Sequence, residues 1–316
     1  MTNNKIITVT LNPCIDKTVE LNNFEAGKVN RTICSRIDAG GKGINVSRVL
    51  SGSDSESLAL GIVGGTQGKI LENILTDENV HFDFIHTLCE TRTNLKIYDR
   101  TTKITTDINE PGAKITGDTL NSFFEKLVSL LPKAAVLVLA GSIPPGCDDS
   151  IYASIIKIAK EYNVKVILDA DGELLAKGIS AAPDVIKPNI HELENLCHKK
   201  FTDEKDIISA IKSISNNGIE LIALSLGKDG ALFYTENTII KASPLKVDVK
   251  STVGCGDSMV AAIAYSIING FDLQTLSKTA VAAGSVTASK DGTNTCSIEE
   301  ALEAAANVRI QTITEI

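Results

Sequence analysis

Asp257 sits in the segment Ser251-Thr252-Val253-Gly254-Cys255-Gly256-Asp257-Ser258, which runs straight into the apolar stretch Met259–Ser266. A glycine-rich turn that opens a helix presents unpaired backbone N–H groups and the positive end of the helix dipole, a cradle for negative charge. A carboxylate in that cradle repels a phosphate, so it makes chemical sense there if it takes a proton from an attacking hydroxyl. The same aspartate also suits a plain helix N-cap, and the segment alone leaves the two readings open.

A second glycine cluster, Asp38-Ala39-Gly40-Gly41-Lys42-Gly43-Ile44-Asn45, precedes a predicted helix over Val46–Leu50. Glycines admit a ligand close to the backbone, and Lys42 and Asn45 offer a charge and an amide to sugar hydroxyls or a phosphate; a tight loop is the alternative. In Lys187-Pro188-Asn189-Ile190-His191-Glu192, Asn189 and Glu192 are three apart, on one side of a helical turn. Their oxygens suit Mg2+ held largely through water, while a helix start after proline with an acidic first turn accounts for the same residues. Ser225-Leu226-Gly227-Lys228-Asp229-Gly230 lies between a buried strand and Ala231–Tyr234 and reads as strand–turn–strand.

Other chemistries are excluded by what stands at their key positions. Gly68-Lys69 is followed by Ile70 and has Val63 where a P-loop needs glycine, and no Gly-x-Gly-x-x-Gly follows Val9. His191-Glu192 has Asn195 where a zinc-protease motif needs its second histidine, and His81, His86 and His198 lack ligand spacing. A dinucleotide-dependent oxidoreductase is therefore disfavoured.

The elements that must position these residues follow from periodicity. Ala135–Ala140, Val164–Leu168, Val185–Ile186 and Leu221–Leu226 are short apolar runs, alternating with amphipathic patterns at Ile151–Tyr162 and Asp203–Ile214. That order predicts a doubly wound α/β fold around a parallel sheet. Two stretches break it: Thr18–Leu21, and Thr93–Ile108, where Leu95, Ile97, Ile104, Thr106 and Ile108 recur with period two around a turn at Asp99–Thr102. These predict a small β-rich lid made from residues 12–37 and 86–110 on a single domain, or else an antiparallel extension of the main sheet's edge.

The chain of 316 residues, 43% hydrophobic, is long enough to bury a large core. Its 39 acidic and 31 basic residues give a net charge of -8, the wrong electrostatics for a nucleic acid or an anionic membrane as partner. Any bound phosphate must then be held by a local basic cluster. Seven cysteines without a Cys-x-x-Cys pair predict neither a disulfide framework nor a zinc site, and a reducing cytoplasm is expected. The start, Met1–Lys5 leading into Ile6–Val9, does not read as a signal peptide, and no apolar run reaches membrane-spanning length.

Five segments in order, Thr10–Asp16, Ala39–Asn45, Ala140–Gly146, Lys187–Glu192 and Ser251–Asp257, resemble the motifs of the ribokinase-like, or PfkB-type, carbohydrate kinases, and the resemblance runs from Thr8 to Ser297. It implies a three-layer αβα fold with a β-rich lid, ATP and Mg2+ as cofactors, and a sugar phosphate as acceptor. The Leu11-Asn12-Pro13-x-x-Asp16 opening and Ser251 resemble the phosphosugar branch. Thr91–Lys96 and Asp107–Gly112 look most like the 1-phosphofructokinases, which make fructose 1,6-bisphosphate from fructose 1-phosphate. Tagatose-6-phosphate kinases and 6-phosphofructokinases are the near alternatives, and a catalytically silent sugar-phosphate sensor of the same fold is the alternative of another class.

The resemblance also implies roles. Asp257 is the expected general base, with the amides of Gly254, Cys255 and Gly256 stabilising the transferred phosphoryl group; Cys255 departs from the family's usual alanine or serine. Asp16, Gly40, Gly41 and Asn45 are expected at the sugar hydroxyls, and Lys28, Lys42 and Arg92 at the sugar's phosphate. Lys187, Ser225, Gly227, Gly230, Thr252 and Gly284 are expected to line the nucleotide, and Asn189 and Glu192 to organise the magnesium through water. Lid closure that excludes water, and a homodimer through the lid, are implied likewise.

Overall fold

The computed structural model describes residues 5–313. The extreme N-terminus, where no export signal is expected, lies partly outside the described residues. In chain order the elements are β1 (Lys5–Thr10), β2 (Cys14–Leu21), β3 (Cys34–Gly40), α1 (Lys42–Leu50), β4 (Glu56–Gly64), α2 (Gly65–Asp77), β5 (Ile85–Thr87), β6 (Arg92–Asp99) and β7 (Ile104–Ile108). There follow α3 (Gly117–Leu130), β8 (Ala134–Ala140), α4 (Ile151–Glu161), β9 (Lys165–Asp169), α5 (Gly172–Ile179), β10 (Val185–Ile186), α6 (Ile190–Leu196) and α7 (Glu204–Ser215). The last are β11 (Leu221–Ser225), β12 (Ala231–Thr235), β13 (Thr238–Ala242), α8 (Cys255–Ile268), α9 (Leu273–Ala288), α10 (Ile298–Ala305) and β14 (Ile310–Ile313).

A 10-stranded sheet in the order β14-β13-β12-β11-β10-β9-β8-β1-β4-β5 forms the middle layer. From β5 to β11 neighbouring strands are parallel, and β12, β13 and β14 extend that edge antiparallel. Successive strand side chains point to opposite faces. Ile7, Val9, Leu137 and Leu139 accordingly face one core with α3, α4 and α5, while Ile6, Val136 and Val138 face the other with α1, α8 and α9. α8 is apolar almost all round and buried from Asp257 to Ser266, as a central helix must be.

The chain order turns back between β1 and β8: β4 and β5 lie to one side, β9 to β11 to the other. Open α/β sheets bind ligands at such a switch point, beyond the strands' carboxyl ends. Asn12, just past β1, stitches that point together, donating from Nδ2 to Pro111 O at 3.1 Å and to Ser142 Oγ and Ile143 O at 3.3 Å.

The second sheet is separate and four-stranded, in the order β3-β2-β6-β7, and it seats Ile15 and Ala39 on Leu71 and Leu75 of α2. Leu95 pairs with Ile108 and Ile97 with Thr106, so the 93–108 stretch is an antiparallel hairpin. Its extent differs from the sequence-based one. β3 continues to Gly40 rather than ending at 37, and β5, at 85–87, pairs with β4 of the main sheet, so the second excursion begins at Arg92 instead of 86. Three apolar-flanked residues carry too little periodicity to say which sheet they join. α1 also begins at Lys42, four residues earlier than predicted, because Gly41 at φ 124° and ψ 135° stops the strand and lets the helix start at once.

Candidate active site

Gly254, left-handed at φ 77°, is the N-cap of α8, and no side chain caps that helix. Asp257 is therefore not the cap. Its carboxylate instead receives the Asn45 amide, Nδ2 to Oδ2 at 2.7 Å, across the cleft from α1. Among the described residues, the first-turn amides of Gly256 and Asp257 have no protein acceptor. Burial raises the Asp257 carboxyl to about 6, and the charge of Asp169 pushes the same way; the Asn45 hydrogen bond and then Lys42 and Lys187 pull against them. Such a group is poised to exchange a proton near neutral pH.

Cys255 leaves the nest's charge unchanged. Burial, with Asp257 and Cys296 adding to it, pushes its thiol up to about 11, so the side chain stays neutral while its Sγ donates to Ser251 O at 3.8 Å.

Behind Asp257 lies a buried charge cluster centred on Asp169, the last residue of β9. Its Oδ1 faces Lys42 Nζ at 3.1 Å and Lys187 Nζ at 3.5 Å. Burial alone would raise the Asp169 carboxyl, but Lys187 and Lys42 outweigh it and hold it below the ordinary value. Burial likewise opposes the Lys42 charge, yet Asp169, Glu192 and Asp257 together raise its pKa. Lys42 thus points at Asp169 at the end of β9, with Glu192 of α6 and Asp257 of α8 within electrostatic reach, instead of at a place for the sugar's phosphate. Lys187 Nζ lies 3.2 Å from where a Cβ on Gly256 would stand, so it reaches the nest itself.

Asn189 and Glu192 form a reciprocal capping box at the start of α6. Asn189 Oδ1 accepts from the Glu192 N–H at 2.9 Å, and Glu192 Oε2 accepts from the Asn189 N–H at 2.8 Å. The helix-start reading therefore describes their hydrogen bonds, and the Glu192 carboxyl lies within electrostatic reach of Lys42, Lys187 and Asp169. Burial raises the Glu192 carboxyl against those cations.

On the second sheet, Asp16 accepts from Asn94 Nδ2 at 3.1 Å and from Lys96 Nζ at 2.8 Å. Gly40 lies against it, since an added Cβ would stand 2.8 Å from Asp16 Cγ and 2.7 Å from Cys14 Sγ. Gly41 is equally tight, 2.7 Å from Thr10 Cγ2. Arg92 uses Nε and Nη2 on Asn12 O at 3.2 and 2.9 Å and Nη1 on Glu110 O at 2.9 Å, which fixes its guanidinium beside the switch point. Lys28 is not brought to this group. It lies on the exposed loop between β2 and β3 with its ammonium paired to Glu25 and 67% of its side chain exposed.

Ser225 ends β11 and bridges to Asn189, its N–H donating to Pro188 O at 3.0 Å. Gly227 and Gly230 flank the turn into β12 with φ of 58° and 88°. Gly230 is needed by the protein itself, because a Cβ there would stand 2.1 Å from Ala242 O. Thr252 is exposed before the nest, and Gly284 of α9 lets that helix approach α8, 3.4 Å from Cys255 O to a would-be Cβ.

Asp169, Asn94 and Lys96 are the residues that sequence reasoning did not single out. Asp169 has one visible signal, a carboxylate closing the apolar run Val164–Leu168 at the carboxyl end of a parallel strand. Among the described residues the buried side-chain atoms without a hydrogen-bond partner are Thr10 Oγ1, Asn94 Oδ1 and Asp169 Oδ2. All three border this cleft: Thr10 underlies the first turn of α1, Asn94 touches Asp16, and Asp169 touches Lys42. Buried polar groups are normally paired, so their concentration here marks a place built for polar ligands.

Comparison with known proteins identifies the family. The pfkB family carbohydrate kinase model matches residues 9–301. A 1-phosphofructokinase of Borreliella burgdorferi is 34% identical, with 98% of this chain and 99% of the relative covered. A tagatose-6-phosphate kinase of Staphylococcus epidermidis is 35% identical over 91% of this chain and 93% of its own. The crystal structure of phosphofructokinase-2 from Escherichia coli in complex with substrates and products superposes with a TM-score of 0.90 at 29% identity, covering 96% of this chain and 99% of that one. With its family model spanning nearly the whole length, the chain belongs to the pfkB family of carbohydrate kinases and is an ATP-dependent sugar kinase.

Proposed function

We propose that this kinase transfers the γ-phosphoryl group of ATP to O6 of fructose 1-phosphate, giving fructose 1,6-bisphosphate and ADP. Asp257 takes the hydroxyl proton as the O6–phosphorus bond forms and the bond to the β-phosphate oxygen breaks, its electron pair leaving with ADP. The observation that carries the reading is the Asp257 carboxyl, buried in the first turn of an uncapped helix and held by Asn45 at 2.7 Å. The amides of Gly256 and Asp257 and the Lys187 ammonium face the transferred group, where a well-aimed donor is worth about 3 kcal/mol.

Mg2+ fits the residues present: Asp169 Oδ2 is unpartnered and the Glu192 carboxyl lies within electrostatic reach of the same cations. These hard oxygens would hold the ion through water, with Asn189 fixing Glu192, and the ion would supply charge neutralisation at the phosphates. Asp16, Gly40, Gly41 and Asn45 take the sugar, Arg92 its phosphate, and Ser225, Gly227, Thr252 and Gly284 the nucleotide edge. The second sheet acts as a lid. Ile33, Ile37, Ile104 and Ile108 are exposed on or beside it, which supports a homodimer through this surface.

ADP release with fructose 1-phosphate, fructose 6-phosphate and tagatose 6-phosphate as acceptors tests the reading. Fructose 1-phosphate should have the highest kcat/KM. ADP release independent of any sugar phosphate would overturn it, and preference for tagatose 6-phosphate would move the chain to the neighbouring specificity.

A further inference from the structure

The second sheet gathers three polar side chains at one point, and one of them lacks a partner. Asp16 on β2 stands opposite Asn94 on β6 in parallel register, and Lys96 lies two residues further along the same face. Asp16 and Asn94 are each 8% exposed, and the Lys96 side chain is 14% exposed. Asn94 Nδ2 and Lys96 Nζ each donate to a different oxygen of Asp16. Both carboxylate oxygens are thus oriented before any ligand arrives.

Asn94 Oδ1 is buried and receives no hydrogen bond. An acceptor kept in that condition calls for a donor from outside the protein, and a sugar hydroxyl is such a donor. Lys96 answers a second requirement. A bare buried carboxylate near a dianionic sugar phosphate repels it, and the ammonium at 2.8 Å cancels that charge while leaving Asp16 lone pairs for hydroxyls.

We propose that Asn94 and Lys96 determine acceptor specificity: Asn94 Oδ1 accepts from one ring hydroxyl of the sugar, and Lys96 holds Asp16 charge-compensated to accept from another. The inference rests on the sugar-phosphate kinase reading. Neither residue touches the Asp257 nest in the contacts described, so the two act on acceptor binding and leave ATP alone.

The test is steady-state kinetics of the full chain, Asn94→Ala and Lys96→Met, against fructose 1-phosphate and analogues each lacking one ring hydroxyl. Asn94→Ala should raise the acceptor KM about ten-fold with the ATP KM and kcat within two-fold of the parent. The increase should vanish for one deoxy analogue only, the one lacking the hydroxyl that Asn94 reads. Lys96→Met should raise the acceptor KM by a similar factor, and Lys96→Arg should recover most of it. An Asn94→Ala penalty that is equal for every analogue, or that falls on kcat or the ATP KM, overturns the proposal. If Asn94→Ala does not fold, Lys96→Met on the same analogues decides: a loss confined to acceptor KM supports the proposal, and a uniform loss overturns it. Should the parent phosphorylate no sugar phosphate, the kinase reading fails and takes this inference with it; a working parent with unchanged variants sinks this inference alone.

Discussion

Two glycine turns face each other across the cleft, and they need their glycines for opposite reasons. In the turn that opens α1, a Cβ would meet the protein itself: 2.7 Å from Cys14 Sγ at Gly40, 2.7 Å from Thr10 Cγ2 at Gly41, and 2.8 Å from the Val9 carbonyl oxygen at Gly43. In the turn that opens α8, a Cβ on Gly256 would meet only the flexible end of the Lys187 side chain, at 3.2 Å, and one on Gly254 only methyls of Thr295 and Thr287, at 3.3 and 3.9 Å. The first turn is packed so that α1 can lie against β1. The second is left open, as the proposed anion site requires. Glycine content is therefore a poor guide to function until one knows what occupies the missing side chain's place.

The comparison is broken most directly by Asp257→Asn, which keeps the shape of the α8 turn and removes its base. Sugar-dependent ADP release should fall about 1000-fold with ATP binding retained. The same variant should melt no lower than the parent at pH 7.5. Burial raises the folded carboxyl to about 6, above the ordinary carboxylate range, so the stability its protonated form contributes is lost as pH rises through about 6 and the ionised form opposes folding at pH 7.5.

Gly43→Ala should cost about 3 kcal/mol of stability, seen as a lower denaturation midpoint, because the rigid Val9 backbone cannot yield. Gly256→Ala should behave in reverse, losing about 2 kcal/mol of transition-state stabilisation, a roughly 30-fold fall in kcat, with an unchanged midpoint. Equal stability losses in both variants would erase the distinction between the turns.

The smallest effect concerns pH. kcat/KM should decline as pH falls through about 6, where Asp257 takes up its proton. Asn45→Ala removes the hydrogen bond that lowers this carboxyl, so the decline should move to higher pH; a profile that is flat from pH 5 to 8 would remove Asp257 from the role of base.

Much of the fold was legible because it is periodic. The alternation in Leu95, Ile97, Ile104, Thr106 and Ile108 appears as cross-strand pairs, α4 starts at Ile151 where its amphipathic pattern does, and α7 starts one residue after its pattern, with Asp203 as its N-cap. The pairing of β5 with the main sheet is not legible, because three residues show no period. Parallel pairing of β2 with β6 leaves no trace in either strand, since the partners are joined through the main domain. Lys28 has the right charge for a phosphate, but charge does not say that its loop leads it to Glu25.

The sequence by itself determined the order of elements, the two helix-opening turns and the chemical groups available, all properties of neighbouring residues. Only the tertiary structure decided which groups meet. Asn45 reaches Asp257 across 212 positions, Lys42 reaches Asp169 across 127, and Lys96 reaches Asp16 across 80. Those encounters follow from the reversal of strand order between β1 and β8 and from the seating of the second sheet on α2, and no local preference encodes either.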